Sequence, residues 1–359
     1  LIKKVAPQSQ HNLTISGGTK KVRYFSSLGY FTQDGLFKSF EKDYNGNFAY
    51  KRLNYRINLD INLTNTTLMR MNIGGRLNDK RAPNYETSDD ISYLFRDIYW
   101  ATPFSGMGIV DGMWLVSDPK RFNLPGDIRD AMYPYYGRGF NVREGNILNF
   151  DFMLEQKMDF LTKGLKFHIK GSYNSGLNYT KTFKGQEPRF EAVLQSDNSL
   201  KYRKVGDKVA LSFSDDTSQS RDWYVEAAFN YKRDFGKHHV SALAMYNQSM
   251  KYYQGGNFNS IPRSYIGLVG RVTYNYAMRY MIDANIGYNG SENFAKGKRF
   301  GLFPAMSAGW IVSEEPFMQW MKPFISYMKI RASYGIVGND RTPDKSRFLY
   351  LPDSYNPSS

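Results

Sequence analysis

The sequence predicts an all-β chain, a partial antiparallel transmembrane β-barrel. Three observations carry this: long segments alternate apolar and polar side chains, each is about long enough to cross a bilayer, and the joins between them alternate short and long. The clearest segment is Leu53-Asn54-Tyr55-Arg56-Ile57-Asn58-Leu59-Asp60-Ile61-Asn62-Leu63, in which the alternation never breaks. Period two places every second side chain on one face, and a tilted strand crosses the hydrocarbon layer in about 9–11 residues.

Further along, Leu148, Phe150, Phe152, Leu154, Met158 and Phe160 share one face, opposite Asn149, Asp151, Glu155, Lys157 and Asp159. The same alternation recurs in 166–174, 223–232, 271–276, 280–288 and 329–336. About a dozen strands result, near 11–17, 22–32, 47–63, 67–78, 146–160, 165–181, 221–233, 238–254, 264–276, 279–290, 303–312 and 326–338.

The short joins are 17–21, 64–66, 161–164, 234–237 and 275–278, while the intervening joins run 33–46, 79–145, 182–220, 255–263 and 291–302. Each side of a membrane imposes its own loop length on a barrel, so the short set is expected to be periplasmic and the long set extracellular. One join, 313–325, is long where a tight turn is expected. Ser313-Glu314-Glu315-Pro316 there predicts a short helix, with Ser313 as the capping hydroxyl, acids in the first turn and an early proline.

Composition narrows the alternatives. No stretch approaches the roughly 20 consecutive apolar residues of a membrane helix. A barrel crosses with half its side chains polar and can have the negative mean hydropathy found here. The net charge of +15 is spread over alternating positions and loops without a basic helix, zinc-finger spacing or RNA-binding aromatic motif, so no nucleic-acid partner is expected. The chain has no cysteine, which removes disulfides and thiolate metal sites. Leu1-Ile2-Lys3-Lys4 lacks an initiator methionine and Asn356-Pro357-Ser358-Ser359 reads as loop, so both ends are expected to be cuts in a longer protein. A soluble β-sandwich also alternates, but strand number, strand length and the two-sided loop asymmetry favour the barrel.

Several segments resemble the SusC/RagA family of TonB-dependent outer-membrane transporters. His11-Asn12-Leu13-Thr14-Ile15-Ser16-Gly17-Gly18, with Arg23-Tyr24-Phe25 and Leu28-Gly29-Tyr30, is similar to the family's first barrel hairpin. Arg271-Val272-Thr273-Tyr274-Asn275-Tyr276, then Tyr288-Asn289-Gly290-Ser291 and Phe294, is similar to a mid-barrel hairpin and its loop. The strongest matches are Arg299-Phe300-Gly301-Leu302-Phe303-Pro304-Ala305-Met306-Ser307-Ala308-Gly309-Trp310 and Lys329-Ile330-Arg331-Ala332-Ser333-Tyr334-Gly335-Ile336-Val337-Gly338-Asn339. The resemblance implies that residues 1–359 are the N-terminal part of a barrel, about 12 of about 22 strands, with the plug domain outside this chain. It also implies energised import of oligosaccharides or peptides across the outer membrane of a Gram-negative bacterium. The implied partners are a SusD-like surface lipoprotein and, through the plug, the TonB complex. A passive porin and a surface glycan-binding β protein are the alternatives.

The long join 79–145 is rich in aromatics, whose faces stack on sugar rings or pack on peptide side chains. Trp100, Trp114, Tyr135 and Tyr136 are the candidate ligand-binding residues; the competing role for each is to anchor the loop or to contact the lid lipoprotein. Asp43-Tyr44-Asn45-Gly46-Asn47 resembles the start of a calcium loop but lacks the later glutamate, so a plain turn is expected. His238 and His239 are sequence neighbours, point to opposite faces of a strand and cannot share a metal. Asp89-Asp90 has no partner that would make it an acid pair, and no nucleophile elbow, phosphate loop or zinc-protease helix is present. No enzyme activity, cofactor or metal is expected.

Overall fold

The structure is a computed structural model that describes residues 2–38, 43–84, 95, 99, 108–117, 133–253, 260–340, 347–348 and 350–351. Its main sheet has twelve antiparallel strands. The first six are β1 (Gln8–Gly18), β2 (Val22–Asp34), β3 (Ala49–Asn62), β4 (Thr67–Pro83), β7 (Gly139–Lys157) and β8 (Leu165–Gln186). The others are β11 (Val209–Phe235), β12 (His238–Tyr252), β13 (Arg263–Tyr276), β14 (Tyr280–Ser291), β15 (Phe300–Ile311) and β16 (Lys329–Gly335). Each pairs with the next in that order, so the sheet is an up-and-down meander with β1 and β16 at its edges. A second, four-stranded sheet is made of β5 (Gly108–Val110), β6 (Met113–Leu115), β9 (Arg189–Leu194) and β10 (Leu200–Gly206), ordered β10-β9-β6-β5.

The register turns the alternation of each strand into two continuous faces. Val22, Ile61, Met69, Leu154, Ile169, Ala227, Tyr246, Leu268, Tyr288 and Leu302 lie directly opposite one another from β2 to β15. One residue away on each strand, Arg23, Asp60, Arg70, Met153, Lys170, Glu226, Asn247, Gly267, Asn289 and Gly301 form the matching row, and Met153 is its one apolar side chain. Ile169, Leu268 and Leu302 of the apolar row remain 44%, 50% and 55% exposed. So wide a bare apolar band suits lipid rather than water.

An aromatic row borders that band. Phe235, His238, Tyr276, Tyr280 and Trp310 lie in register at the short-turn end. On β14 the apolar face reads Tyr280, Ile282, Ala284, Ile286, Tyr288. Its eight steps span about 27 Å along the strand and about 21 Å along the normal at a tilt near 40°, close to the roughly 25 Å apolar height of outer-membrane barrels.

All twelve expected strands are present, and the sequence reading needs three corrections. The join expected at 79–145 is shorter at both ends, since β4 runs on to Pro83 and β7 starts at Gly139. Segment 182–220 is mostly ladder rather than loop: β8 runs on to Gln186, β11 starts at Val209, and β9 and β10 fill the interval. Above the bilayer both faces of a strand are wet, so the apolar alternation stops while backbone pairing continues. At 313–325 two 3₁₀ turns, Val312–Glu314 and Pro316–Met321, replace a capped helix. Ser313 lies buried inside the first turn and no side chain caps either, while Pro316 starts the second as its position suggests.

The turn 161–164 depends on Gly164, whose φ is +89° and where a Cβ would sit 2.0 Å from the Lys232 carbonyl oxygen. The same applies to Gly139, at φ +97° and 1.9 Å from the Phe183 carbonyl oxygen, where β7 joins β8.

Candidate functional site: the inner wall and the loop-end cap

Toward the short-turn end, the polar face carries a set of paired groups. Asp60 accepts from Arg23 (3.3 Å) and Arg70 (3.0 Å), and Asp151 accepts from Ser172 (2.6 Å). Glu226 accepts from Tyr224 (2.5 Å) and lies 2.9 Å from His168 Nε2. The Asn230 amide donates to His168 Nδ1 (3.1 Å), which leaves the ring proton on Nε2, facing Glu226. Arg271 holds Asp283 through both its Nε (3.1 Å) and Nη2. Many of these residues line a concavity of about 960 Å³. Its charges are already matched, so it is suited to holding a polar surface. Among the described residues no group of three or more His, Asp or Glu is placed to hold a metal.

At the other end, Phe37, Trp114, Tyr133 and Tyr136 form a buried aromatic cluster. Trp114, on β6, is 0% exposed and meets the Tyr133 ring edge-on at 5.6 Å. Tyr133 and Tyr136 belong to one helical turn, Tyr133–Tyr136, just before β7. The Tyr133 hydroxyl donates to the Glu187 carbonyl oxygen (2.7 Å), which ties the turn to the β8–β9 connection. The Tyr44 hydroxyl donates to the Tyr136 carbonyl (2.9 Å) and accepts from the Gly139 N–H (2.8 Å). Burial pushes both the Tyr44 and Tyr133 phenols up to about 12 and raises Tyr136 as well, so all three stay neutral. A ladder of Tyr44, Phe140, Phe183 and Phe213, with centroid steps of 5.8, 4.6 and 5.3 Å, carries the packing onto the extended strands.

Of the four aromatics singled out from sequence, Trp114 and Tyr136 therefore sit inside the cap's own core. The backbone of Tyr135 lies in the helical turn; its side chain, like all of Trp100, Asp89 and Asp90, lies outside the described residues. Asp43–Asn47 is a turn in which Asn45 accepts from the Asn47 N–H (3.0 Å) and Asp43 pairs with Lys208. His238 reaches Tyr274 (2.7 Å) and His239 reaches Asp234 (2.6 Å) on opposite faces of β12. Sequence reasoning gave no role to Phe37 or Tyr44, because only the sheet register brings them to residues about a hundred positions away.

No family model matches the chain. It is 26% identical over 383 aligned residues to TonB-dependent receptor P39 of Formosa agariphila, covering 98% of this chain and 33% of that protein. It is 24% identical to TonB-dependent receptor SusC of Bacteroides thetaiotaomicron, over 97% of this chain and 35% of that protein. The RagAB peptide importer in its open-open state superposes with a TM-score of 0.57 at 17% identity, over 92% of this chain and 36% of that one, a likeness of fold. The chain is SusC/RagA-like. It spans about a third of the length of the curated relatives it matches, and those relatives are receptors, not enzymes. The twelve-stranded sheet of this SusC/RagA-like chain matches part of the barrel fold of the RagAB importer.

Proposed function

We propose that the chain is the N-terminal part of the barrel wall, residues 1–359, in an outer-membrane importer of oligosaccharides, or of peptides, driven through TonB. The observation that carries this is the in-register pair of faces, apolar outward and polar inward, in a chain similar over nearly its whole length to TonB-dependent receptors. A SusD-like lipoprotein would cover the loop end, and a plug in the rest of the protein would face the inner wall and contact TonB. In that arrangement Trp114 and Tyr136 shape the mouth by holding the cap together, and any part they play in ligand contact runs through that packing.

The test is uptake of labelled oligosaccharide or peptide by cells carrying the full-length protein, with and without TonB and with a protonophore. Uptake should require both TonB and the proton gradient. Uptake that survives deletion of TonB would mean a passive pore, and recovery of the protein in the soluble fraction would mean a surface-binding module.

A further inference from the structure

The inner face changes character above the paired groups. Going from the row of Asn58, Asn72 and Asp151 toward the loop end, inward positions of β3, β4 and β7 carry Arg52, Arg56, Arg76, Lys80 and Arg143. No inward position of β3, β4, β7 or β8 over that stretch carries a carboxylate. The acids at this height, Asp79 and Glu144, lie opposite each other on the outward face, where Glu144 pairs with Lys181 (2.6 Å). Inward acids return only on β11, with Asp216 and Asp222, and Asp222 already accepts from Asn174 (3.1 Å).

The five cations form one connected path. Lys80 is directly opposite Arg143. Arg52 is opposite Asn78, one diagonal step from both Lys80 and Arg76, and Arg56 is one diagonal step from Arg76. Diagonal neighbours in a sheet lie about 7–8 Å apart and directly opposite ones closer, so long side chains along this path reach a common ligand. Like charges placed directly opposite repel across a ladder, and Lys80 and Arg143 are such a pair. Arg52 stands over the Phe31 ring at 5.1 Å, and its Nε is buried with no hydrogen-bond partner.

Among the cations lie Asn54, Asn78, Gly145 and Ile147, and beside them on β8 lie Asn178 and Thr180, with Phe31 and Tyr50 packed edge-to-face at 5.9 Å. Amides and hydroxyls beside aromatic rings suit a polyhydroxylated chain, whose hydroxyls they hydrogen-bond and whose ring faces pack on the aromatics, better than they suit the apolar side chains of a peptide. Guanidinium groups bind carboxylate or sulfate oxygens through two parallel N–H bonds. We propose that this wall binds acidic oligosaccharides, sugars carrying carboxylate or sulfate groups.

This inference rests on the inward orientation assigned under the import reading and needs no TonB to test, so the two fail separately. The full-length protein in detergent is titrated calorimetrically with tetragalacturonate, a sulfated carrageenan tetrasaccharide, neutral maltotetraose and tetraglutamate. At least one of the acidic sugars should bind, weakening about tenfold or more as salt rises from about 50 to about 500 mM. The double variant Arg76→Gln/Lys80→Gln should weaken that binding by about tenfold or more, while Lys51→Gln, on the outward face, should change it less than about twofold. Heat-modifiable gel mobility checks that each variant is folded. Failure of both acidic sugars to bind, equal or tighter binding of maltotetraose, tetraglutamate as the tightest ligand, or an unchanged affinity in the folded double variant would each overturn the proposal.

Discussion

Replacing Ile57 and Asn58 separately by arginine asks each face of β3 which solvent it meets. Ile57 lies midway between Leu53 and Ile61, about 14 Å along the strand from either, and so near the centre of the apolar band. It is 47% exposed, directly opposite Ser26 and Ile73, with no acid among those neighbours. An arginine in the middle of the lipid face of a barrel costs about 2–4 kcal/mol, which lowers the folding equilibrium about a hundredfold. Asn58, one residue on, faces Phe25 and Asn72 with Asp60 two positions along the same face, so arginine there should change stability by no more than about 0.5 kcal/mol. Equilibrium unfolding of the full-length protein in lipid vesicles measures both. Equal effects at the two positions, or a larger one at Asn58, would mean that the apolar face is not the lipid face.

Trp114→Ala should destabilise the loop-end cap by about 3–5 kcal/mol, because a fully buried indole leaves a large cavity. Limited proteolysis should then cut the segments around β5 and β6 faster, with the barrel's unfolding midpoint unchanged; a shift of that midpoint would show that cap and wall are one cooperative unit. At the short-turn end, Tyr280 (2.6 Å) and Trp310 (3.0 Å) both donate to Glu315 and hold its carboxyl below the ordinary value of 4.5. A lowered carboxyl stabilises the fold fully above that ordinary value and loses its contribution as pH falls through the folded value. The stability difference between the wild type and Glu315→Gln should therefore be present at neutral pH and vanish in acid, and a gap independent of pH would count against the contact.

How much of this was legible in the sequence follows the physics of each region. Within the bilayer, water and lipid on opposite faces force alternation, so β3 and β14 could be read residue by residue from Leu53–Ile61 and Tyr280–Tyr288. Above it that forcing ends, and the Ser212–Ser220 stretch reads as a loop although it pairs with β8 throughout. The 275–278 turn was placed correctly without its usual glycine: Ala277 and Met278 both take positive φ, 53° and 57°, in a two-residue hairpin turn that normally selects Asn-Gly. The aromatic cap was legible only as composition. Trp114 and Tyr136 carry the same residue types whether they face a sugar or each other, and only long-range pairing decides which.

The charges above the band show which force sets the register. Asp79 and Lys80 are adjacent on β4, as are Arg143 and Glu144 on β7, and the observed pairing puts acid against acid and base against base. A slip of one residue would pair Asp79 with Arg143, or Lys80 with Glu144, exchanging repulsion for attraction worth about 0.2–1 kcal/mol per pair. The same slip would turn Leu148, Phe150, Phe152 and Leu154 from lipid to the polar side, at about 1.5–3 kcal/mol for each side chain. The apolar band wins by several kcal/mol. The wall above it is therefore free to carry charges that oppose its own pairing, and an inner face of one sign can be kept for a ligand of the other.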